Sequence, residues 1–314
     1  MANARAKKVD NTHLSVDLAE KKIWVHRDYI AHVFRWNHIT RYMKSRLTRK
    51  SSAGPCNILD VGCGVDLPLG RAIFSNKMVP HKYMGVDYNP VPFHPMLTGN
   101  KFPLELWDEV DFLDPEINLE SIGWQPEIIT CLEMLEHVEP LHAYRVLLKI
   151  LGLLANAKEP IVFLSTPCFD PVQGAANNHV NEMTYSAFGA MIEDAGFEIT
   201  RVYGTFASQR DYMHHLFERY GESMKRLWDD LSEYYESNVL AVMFAPVFPQ
   251  YSRNCIWKCR PATQGSSRSF ATLADTREPW GSSSRAEWAK LVKFQEEYGI
   301  YQGFSNSPCH GAEG

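Results

Sequence analysis

The chain has 314 residues, of which 45% are hydrophobic and 22% charged, with a formal net charge of −5 and a pI near 6.2. This hydrophobic content is sufficient for a packed core, in one large domain or in a domain with additions. The acidic balance argues against a surface that binds polyanions over its whole extent, although a local basic face remains compatible with nucleic-acid binding.

Cysteine usage and hydropathy bear on the location of the protein. The seven cysteines are an odd number without metal-type spacing, which is typical of reduced thiols rather than of a disulfide framework. The first ten residues are basic and polar, and no stretch approaches the ~20 consecutive apolar residues of a membrane span. We therefore expect a cytoplasmic protein without a membrane span.

Residues 1–54 predict an N-terminal helical cap, because apolar residues recur at helical spacing between Ile23 and Leu47. The same stretch is rich in His, Arg, Lys and Trp, unlike the acidic remainder. It is either a solvated helix face or a basic surface over a ligand cleft. In the second case guanidinium and imidazole groups would pair with phosphate or carboxylate, and Trp would stack on a base.

Residues 55–260 alternate between strand and helix patterns, as a parallel α/β sheet requires. Six strands are predicted, at about 57–61, 83–86, 104–113, 128–131, 161–165 and 197–203. Between the last two, Thr184 is the expected N-cap of a helix that Gly196 ends.

Two segments depart from this alternation. Residues of about 205–252 are rich in aromatic side chains, and an insertion at this place would lie over the carboxyl ends of the strands, where open α/β sheets bind ligands. We interpret the insertion as a substrate lid; the alternative is a helical insert that only covers apolar surface. Residues 261–314 predict a low-complexity C-terminal tail with one possible helix at about 285–298.

The stretch Ile58–Gly64 is an apolar strand that runs into an aspartate and two glycines, and Asp87 ends the next strand. Glycine lets a ligand lie against bare main chain, and an acid at the following strand end can accept hydrogen bonds from ribose hydroxyls. The pattern predicts a nucleoside cofactor. Leu67 stands where a dinucleotide fingerprint needs its third glycine, which favours a ligand without phosphates.

These two segments resemble motif I and the ribose-binding motif of the class I S-adenosylmethionine (AdoMet)-dependent methyltransferases. Ile128–Val138 is similar to the fourth-strand motif of the ubiquinone-biosynthesis O-methyltransferases and their relatives. The resemblance covers about residues 55–204. It implies a Rossmann-like methyltransferase fold: a doubly wound, mostly parallel, seven-stranded α/β sheet with the helical cap, the helical insertion and a last, antiparallel strand at Asn254–Arg260. The structural alternative is a doubly wound domain in which the glycine turn is only a tight turn.

The resemblance also implies a set of cofactor-binding residues at the ends of the first four strands. In this chain they are Asp60, Gly62, Cys63, Gly64, Asp87, Tyr88, Asp111, Phe112 and Cys131. Asp87 would take the ribose hydroxyls, Tyr88 would pack near the adenine, and Asp111 would accept from the adenine amine. Asp108 and Asp114 compete with Asp111 for the last role.

Glu133, Glu136 and His137 follow the fourth strand, at the expected floor of the cleft, and are the candidate catalytic residues. A carboxylate or imidazole here can deprotonate a hydroxyl or amine nucleophile. Joined by His179, the three also resemble the metal cage of small-RNA 3′-end 2′-O-methyltransferases, which implies Mg²⁺ or Mn²⁺. The alternative is that the Glu and His side chains bond only to the helix start and the loop.

The function expected from these motifs is AdoMet-dependent methyl transfer to an oxygen or nitrogen nucleophile of a small molecule. A nucleic acid or modified nucleotide, bound through the basic N-terminal helix, is the alternative substrate. The fourth strand lacks the Asp/Asn-Pro-Pro-Tyr/Phe ending of DNA amino-methyltransferases, which disfavours direct attack on ordinary DNA bases. A protein that binds AdoMet without turnover is an alternative of another class, but it would have no need of Glu136 and His137.

Overall fold

The computed structural model describes residues 27–48, 56–92, 97, 102–114, 122–169, 175–206, 216–235 and 237–263. The predicted helix at about 285–298, most of the C-terminal tail and the first 26 residues lie outside this part of the chain. Among the described residues, no helix is both long enough and apolar enough to cross a membrane.

The core of the fold is one seven-stranded sheet. Its strands are β1 Asn57–Val61, β2 Lys82–Val86, β3 Leu104–Trp107, β4 Ile128–Leu132, β5 Ile161–Pro167, β6 Phe197–Phe206 and β7 Asn254–Pro261. They lie in the order β3-β2-β1-β4-β5-β7-β6, and β7 is antiparallel to both of its neighbours, while the other pairs are parallel. This confirms the predicted doubly wound, mostly parallel sheet with an antiparallel last strand.

Helices cover both faces of the sheet. The structure has α1 Arg27–Thr48, α2 Pro68–Ser75, α3 Pro140–Leu153, α4 Tyr185–Asp194, α5 Glu222–Ser232 and α6 Ser237–Phe244. Apolar side chains of α3 and α4 pack on one face, and those of α1 and α2 pack on the other. Every residue of β1 is buried, as expected for a central strand of a sheet covered on both sides.

The predicted third strand was too long. β3 ends at Trp107 rather than at 113, and the acidic residues that follow accept hydrogen bonds from main-chain N–H groups of loops, an alternative to strand pairing. Asp108 accepts from the Val91 N–H at 2.8 Å, and Asp111 accepts from the Leu113 N–H at 2.9 Å. The segment is therefore a loop beside the cleft.

The predicted start and end of α4 are confirmed. The Thr184 hydroxyl accepts a hydrogen bond from the Ala187 N–H at 3.1 Å. Gly196 has a φ of 94°, a conformation that side chains with a Cβ disfavour, and it ends the helix.

The N-terminal helical segment is present as α1 and packs along the sheet. Ile39 and Met43 are fully buried in the cluster that contains Ile58 and Phe163. Near the carboxyl-terminal end of α1, Arg46 forms a buried ion pair with Glu127 at 2.9 Å. The helix is therefore part of the layer that covers the sheet, and two of its arginines, at 35 and 46, are buried.

The predicted insertion is helical and leaves the sheet between β6 and β7. It contains α5, α6, a helical turn at 216–220 and short 3₁₀ turns at 245–247 and 249–251. These elements share an apolar cluster around Trp228 and Phe248. β7 begins at Asn254, opposite Pro167 at the end of β5, so the insertion joins the sheet at the carboxyl edge of its parallel strands.

Candidate functional site

The glycine turn after β1 closes against β2. The N–H groups of Gly62 and Cys63 both donate to the Val86 carbonyl, at 2.8 and 3.2 Å. Gly62 and Gly64 have φ values of 70° and 74°, which residues with a Cβ adopt at a cost. A Cβ on Gly62 would lie 2.8 Å from the Met134 side chain, so this turn lies directly against the segment that follows β4.

Asp87 lies at the end of β2 and joins the two predicted cofactor motifs. One carboxylate oxygen accepts from the Gly64 N–H at 2.8 Å, and the other accepts from the Asn89 N–H at 2.8 Å. The oxygen that binds Asn89 also accepts from the Asn89 side-chain amide at 3.3 Å, whereas the oxygen that binds Gly64 keeps a second lone pair, with which the carboxylate can accept from a ribose hydroxyl. Contact with the cofactor stays a prediction, but the structure holds the carboxylate in one orientation at the mouth of the glycine turn.

Asp60 lies beneath the turn and is buried. Its carboxylate accepts from the Tyr83 hydroxyl at 2.5 Å and from the Thr130 hydroxyl at 2.6 Å. Burial raises its pKa from 3.8 to about 6, while these two hydrogen bonds oppose the rise. Its partners thus tie β1 to β2 and β4, and the predicted contact with the cofactor stays a prediction.

The other predicted cofactor residues differ in exposure. Tyr88 is 51% exposed, whereas Cys63, Phe112 and Cys131 are buried. Burial, above all, raises the pKa of the Cys63 and Cys131 thiols well above the ordinary value. Asp111, the fifth of these residues, is exposed, so Tyr88 and Asp111 are the two whose side chains are open to a ligand in this conformation.

Glu133 lies in a polar network that links α1, β5 and β7 to the cleft floor. Its carboxylate accepts from the Asn254 amide at 2.8 and 3.0 Å and from the Ser165 hydroxyl at 2.9 Å, and it pairs with Arg35 at 3.2 Å. Its backbone has a φ of 55°, an uncommon conformation for a residue other than glycine. The network and the Ser165 carbonyl, which accepts from the Glu133 N–H at 2.9 Å, hold this conformation in place.

Glu136 is 1% exposed, and its Oε2 has no hydrogen-bond partner among the described residues. Burial and, next, the charge of Glu133 raise the pKa of Glu136 well above its ordinary value. A buried carboxylate oxygen without a partner is costly unless something fills its place. It is the one predicted site residue whose own contacts leave it in need of a ligand or a proton.

His137 and His179 lie next to each other, with their ring centroids 4.8 Å apart. His137 Nδ1 bonds to the Asn178 carbonyl at 3.1 Å, and His179 Nδ1 bonds to the Glu182 carboxylate. Burial lowers the pKa of His137, which favours the neutral imidazole. The loop after β5 thus supplies the contacts that place both rings.

Three of the four predicted metal ligands come together. Within the described part of the chain, Glu136, His137 and His179 offer ligand atoms that all lie within 4.8 Å of one another. One carboxylate and two imidazoles form a mixed donor set: the carboxylate suits Mn²⁺ or Mg²⁺, the imidazoles suit ions such as Fe²⁺ or Zn²⁺, and the unpartnered Glu136 oxygen fits a cation. Glu133 lies outside this group, held by Arg35 and Asn254, so its role as a ligand stays a prediction.

Sequence reasoning missed the partners that hold these side chains. Asn254, Ser165 and Glu182 were not singled out, and Arg35 was only one of many basic residues in the N-terminal segment. Asn254 and Ser165 occupy strand positions that the pattern marks as buried, and a polar residue there was the available signal. No local pattern could reveal the Arg35–Glu133 pair, because 98 residues of sequence separate its members.

The fold and this site define a class of protein. A doubly wound sheet that carries a glycine turn after β1, an acid after β2 and a Glu-His cluster after β4, all at one edge, is typical of domains that bind a nucleoside cofactor. The model of a family described as a methyltransferase domain matches residues 35–202, more than half of the chain. The chain belongs to this methyltransferase-domain family.

Solved structures with methyltransferase descriptions are similar at low identity. The methyltransferase domain of bacterial CtHen1-C is 12% identical over 73% of this chain and 97% of its own, with a TM-score of 0.41. The small RNA methyltransferase HEN1 is 16% identical over 74% of this chain and 26% of its own, with a TM-score of 0.43. The mitomycin 7-O-methyltransferase MmcR is 13% identical over 80% of this chain and 60% of its own, with a TM-score of 0.41.

The chain therefore spans less than two thirds of the length of the last two structures. At these TM-scores the likeness carries no argument about this chain. Comparison with curated protein sequences gave no match.

Proposed function

We propose that the protein is an AdoMet-dependent methyltransferase that acts on an oxygen or nitrogen nucleophile of a small molecule. The supporting observation is the contact between the two halves of the site: Gly62 of the cofactor turn lies against Met134, within the segment that carries Glu133, Glu136 and His137. A nucleoside held at the turn would thus present its sulfonium methyl group beside groups able to receive a proton. The narrower likeness to ubiquinone-biosynthesis O-methyltransferases belongs to this proposal.

The reaction needs little from the protein beyond position and a proton acceptor. When bound, AdoMet would supply an activated methyl group, and its sulfur would keep the electron pair of the broken carbon–sulfur bond as S-adenosylhomocysteine is released. His137 is suited to accept the proton from the nucleophile, because its lowered pKa keeps the ring neutral and the Asn178 carbonyl fixes the hydrogen on Nδ1, which leaves Nε2 free.

A divalent cation fits the same site. Glu136, His137 and His179 would hold it, and when bound it would lower the pKa of a coordinated substrate hydroxyl. In that case the three side chains would bind the cation, and His137 would not itself take the proton.

The first test measures AdoMet binding by calorimetry. Asp87→Ala should weaken AdoMet binding by at least about 10-fold, because it removes an ionised acceptor worth roughly 1.5–3 kcal/mol per hydrogen bond. Asp66→Ala is the matched control, since Asp66 is an exposed acid in the same turn and should bind as the wild type does. His137→Ala should bind AdoMet normally and lose turnover.

Equal AdoMet affinity in the wild type and in Asp87→Ala would remove the ribose role of Asp87. Absence of any heat with AdoMet or S-adenosylhomocysteine would overturn the proposed function. The substrate class follows from incubation with radiolabelled AdoMet and separate small-molecule, nucleic-acid and protein fractions, in which we expect the label in the small-molecule fraction.

A nucleic-acid substrate is the second candidate, and one surface favours it. Arg41 and Arg201 are exposed, and with Lys258 they lie close enough to His38 for their charges to add to burial, the larger cause, in lowering its pKa. Arg201 stacks over the Tyr203 ring at 5.0 Å. Cations interleaved with aromatic rings suit a phosphate backbone with stacked bases. Label in the nucleic-acid fraction that disappears in Arg41→Ala/Arg201→Ala would establish this candidate in place of the first.

A further inference from the structure

The loop after β5 is bound to the 3₁₀ turn at 135–137 through a series of hydrogen bonds. The N–H groups of Val180 and Asn181 both donate to the Glu136 carbonyl, at 2.9 and 3.1 Å. The Asn181 amide donates to the Leu135 carbonyl at 3.1 Å. The two candidate ligand segments therefore form one rigid unit, although 42 residues separate His137 from His179 in sequence.

The acceptors that face the two imidazoles decide where their hydrogens lie. A backbone carbonyl and a carboxylate are acceptors only, so the hydrogen of His137 must be on Nδ1, facing Asn178, and that of His179 on Nδ1, facing Glu182. In the neutral rings both Nε2 atoms then carry lone pairs. His137 Nε2 lies 3.9 Å from Glu136 Oε1.

Glu182 has no predicted role in cofactor binding or catalysis, yet it is buried and makes two contacts in the loop. Its side chain is 8% exposed, and the same carboxylate oxygen that bonds to His179 accepts from the Ala176 N–H at 3.1 Å. It thus fixes the path of the loop and the orientation of the ring together. A partner that holds the second nitrogen of an imidazole is the arrangement that sets ring orientation and ligand basicity in metal sites.

We propose that Glu182 and the Asn178 carbonyl are positioning groups that fix His179 and His137 as Nδ1–H tautomers, so that both Nε2 atoms join Glu136 in a three-donor site for a divalent cation. The functional meaning of this site rests on the proposed methyltransferase activity, but its geometry does not. Glu133, bound to Arg35 and Asn254, is not one of these three donors.

The tautomers are tested directly by ¹⁵N NMR of the imidazoles in the ligand-free protein, at a pH where the rings are neutral. His137→Ala and His179→Ala assign the two spin systems among the twelve histidines. In the wild type both rings should show a protonated Nδ1 and an unprotonated Nε2. In Glu182→Ala, His179 should lose this preference while His137 keeps it, and Glu182→Gln, which retains a hydrogen-bond acceptor, should restore it.

The cation site is tested by Mn²⁺ titration with calorimetry and electron paramagnetic resonance. Glu182→Ala should weaken Mn²⁺ binding by about 10- to 100-fold, as loss of such partners does in other metal sites. His179→Ala should weaken it further, and Glu182→Gln should stay closer to the wild type. Glu198→Ala is the control, because it removes a carboxylate that pairs with the exposed Arg260 in β7, on another strand of the sheet.

A His179 ring protonated on Nε2 in the wild type would overturn the inference. So would an Mn²⁺ affinity that is absent in the wild type or unchanged in Glu182→Ala. AdoMet binding, measured on the same samples, distinguishes a failure of the proposed function from a failure of the cation site. A wild-type protein that does not bind AdoMet contradicts the proposed function. A wild-type protein that binds AdoMet but not Mn²⁺ contradicts only the cation site.

Discussion

Two titratable residues, the buried Asp60 and the half-buried His38, have opposite effects on stability as pH changes. Burial raises the pKa of Asp60 from 3.8 to about 6, so between these values the folded protein holds the proton and the unfolded chain releases it. The contribution of Asp60 to the free energy of unfolding is therefore greatest below pH 3.8 and is lost as the pH rises through about 6. Burial and the charges of Lys258, Arg201 and Arg41 lower the pKa of His38 from 6.5 to about 4.

The sign for His38 is the reverse. Between about 4 and 6.5 the unfolded chain binds the proton and the folded protein does not, so stability rises with pH over this window. Each effect therefore masks part of the other in the wild-type protein.

Asp60→Asn should separate them. Without the raised pKa of Asp60, the free energy of unfolding should rise more steeply between about pH 4 and about pH 6 than in the wild type. Over this window the variant should gain up to ~3 kcal/mol more than the wild type, because one pKa unit corresponds to about 1.4 kcal/mol. His38→Gln should leave the opposite effect of Asp60 uncompensated, so that its free energy of unfolding falls with pH relative to the wild type between about pH 4 and about pH 6. Urea unfolding at several pH values measures both; parallel profiles for all three proteins would contradict the predicted shifts.

At the scale of elements, the insertion depends on a close approach that only glycine permits. Gly204, near the end of β6, faces the Ala245 carbonyl and the Ser252 hydroxyl, and an added Cβ would overlap both. Ser252 in turn donates to the Phe248 carbonyl at 3.1 Å within the second 3₁₀ turn. The glycine therefore lets the insertion pack directly on the main chain of the sheet.

Gly204→Ala should push the 245–252 segment away from β6 and lower the free energy of unfolding by about 1–3 kcal/mol or more, the usual cost of overpacking. Gly152→Ala is the matched control, since no atom lies within 4 Å of the added Cβ at this exposed position of α3. There the substitution should stabilise the helix by up to about 1 kcal/mol. Equal effects at the two positions would show that the insertion does not depend on this contact.

At the scale of the whole molecule, two buried arginines tie α1 to the sheet at opposite edges. Arg35 reaches Glu133 at the carboxyl edge, where the candidate site lies. At the other edge Arg46 pairs with Glu127 and donates to the Glu159 carbonyl at 2.7 Å. Buried charges are tolerated only when paired, so each bond fixes the helix in register with the strands.

Arg46→Met should destabilise the protein by about 3–5 kcal/mol, because it leaves the Glu127 charge buried without its partner. The double variant Arg46→Met/Glu127→Met should be closer to the wild type than the single variant, since it leaves no buried charge uncompensated. A double-mutant cycle from chemical denaturation gives the coupling energy. Independent, additive effects would mean that the pair does not hold α1.

Much of the fold could be predicted from the sequence because its signals are local. The apolar strands, the glycine turn and the cap at Thr184 depend on residues within a few positions of one another, and each appears in the structure close to where it was expected. The end of β3 was missed for the opposite reason: Asp108 ends the strand by bonding to Val91, which lies in another segment. Strand ends are set by such competing partners.

In the candidate site, too, some features follow from local sequence and others from contacts between distant residues. The sequence by itself determined which groups are available at the strand ends, since the chemistry of Asp87, Glu136 and His137 and their positions after the strands can be read in order. The tertiary structure alone decided what each group does: it bound Glu133 to Arg35 and Asn254 and brought Glu182 to His179. The physical reason is that hydrogen bonds and ion pairs depend on distances of about 3 Å in space, and folding sets these distances between residues far apart in the chain.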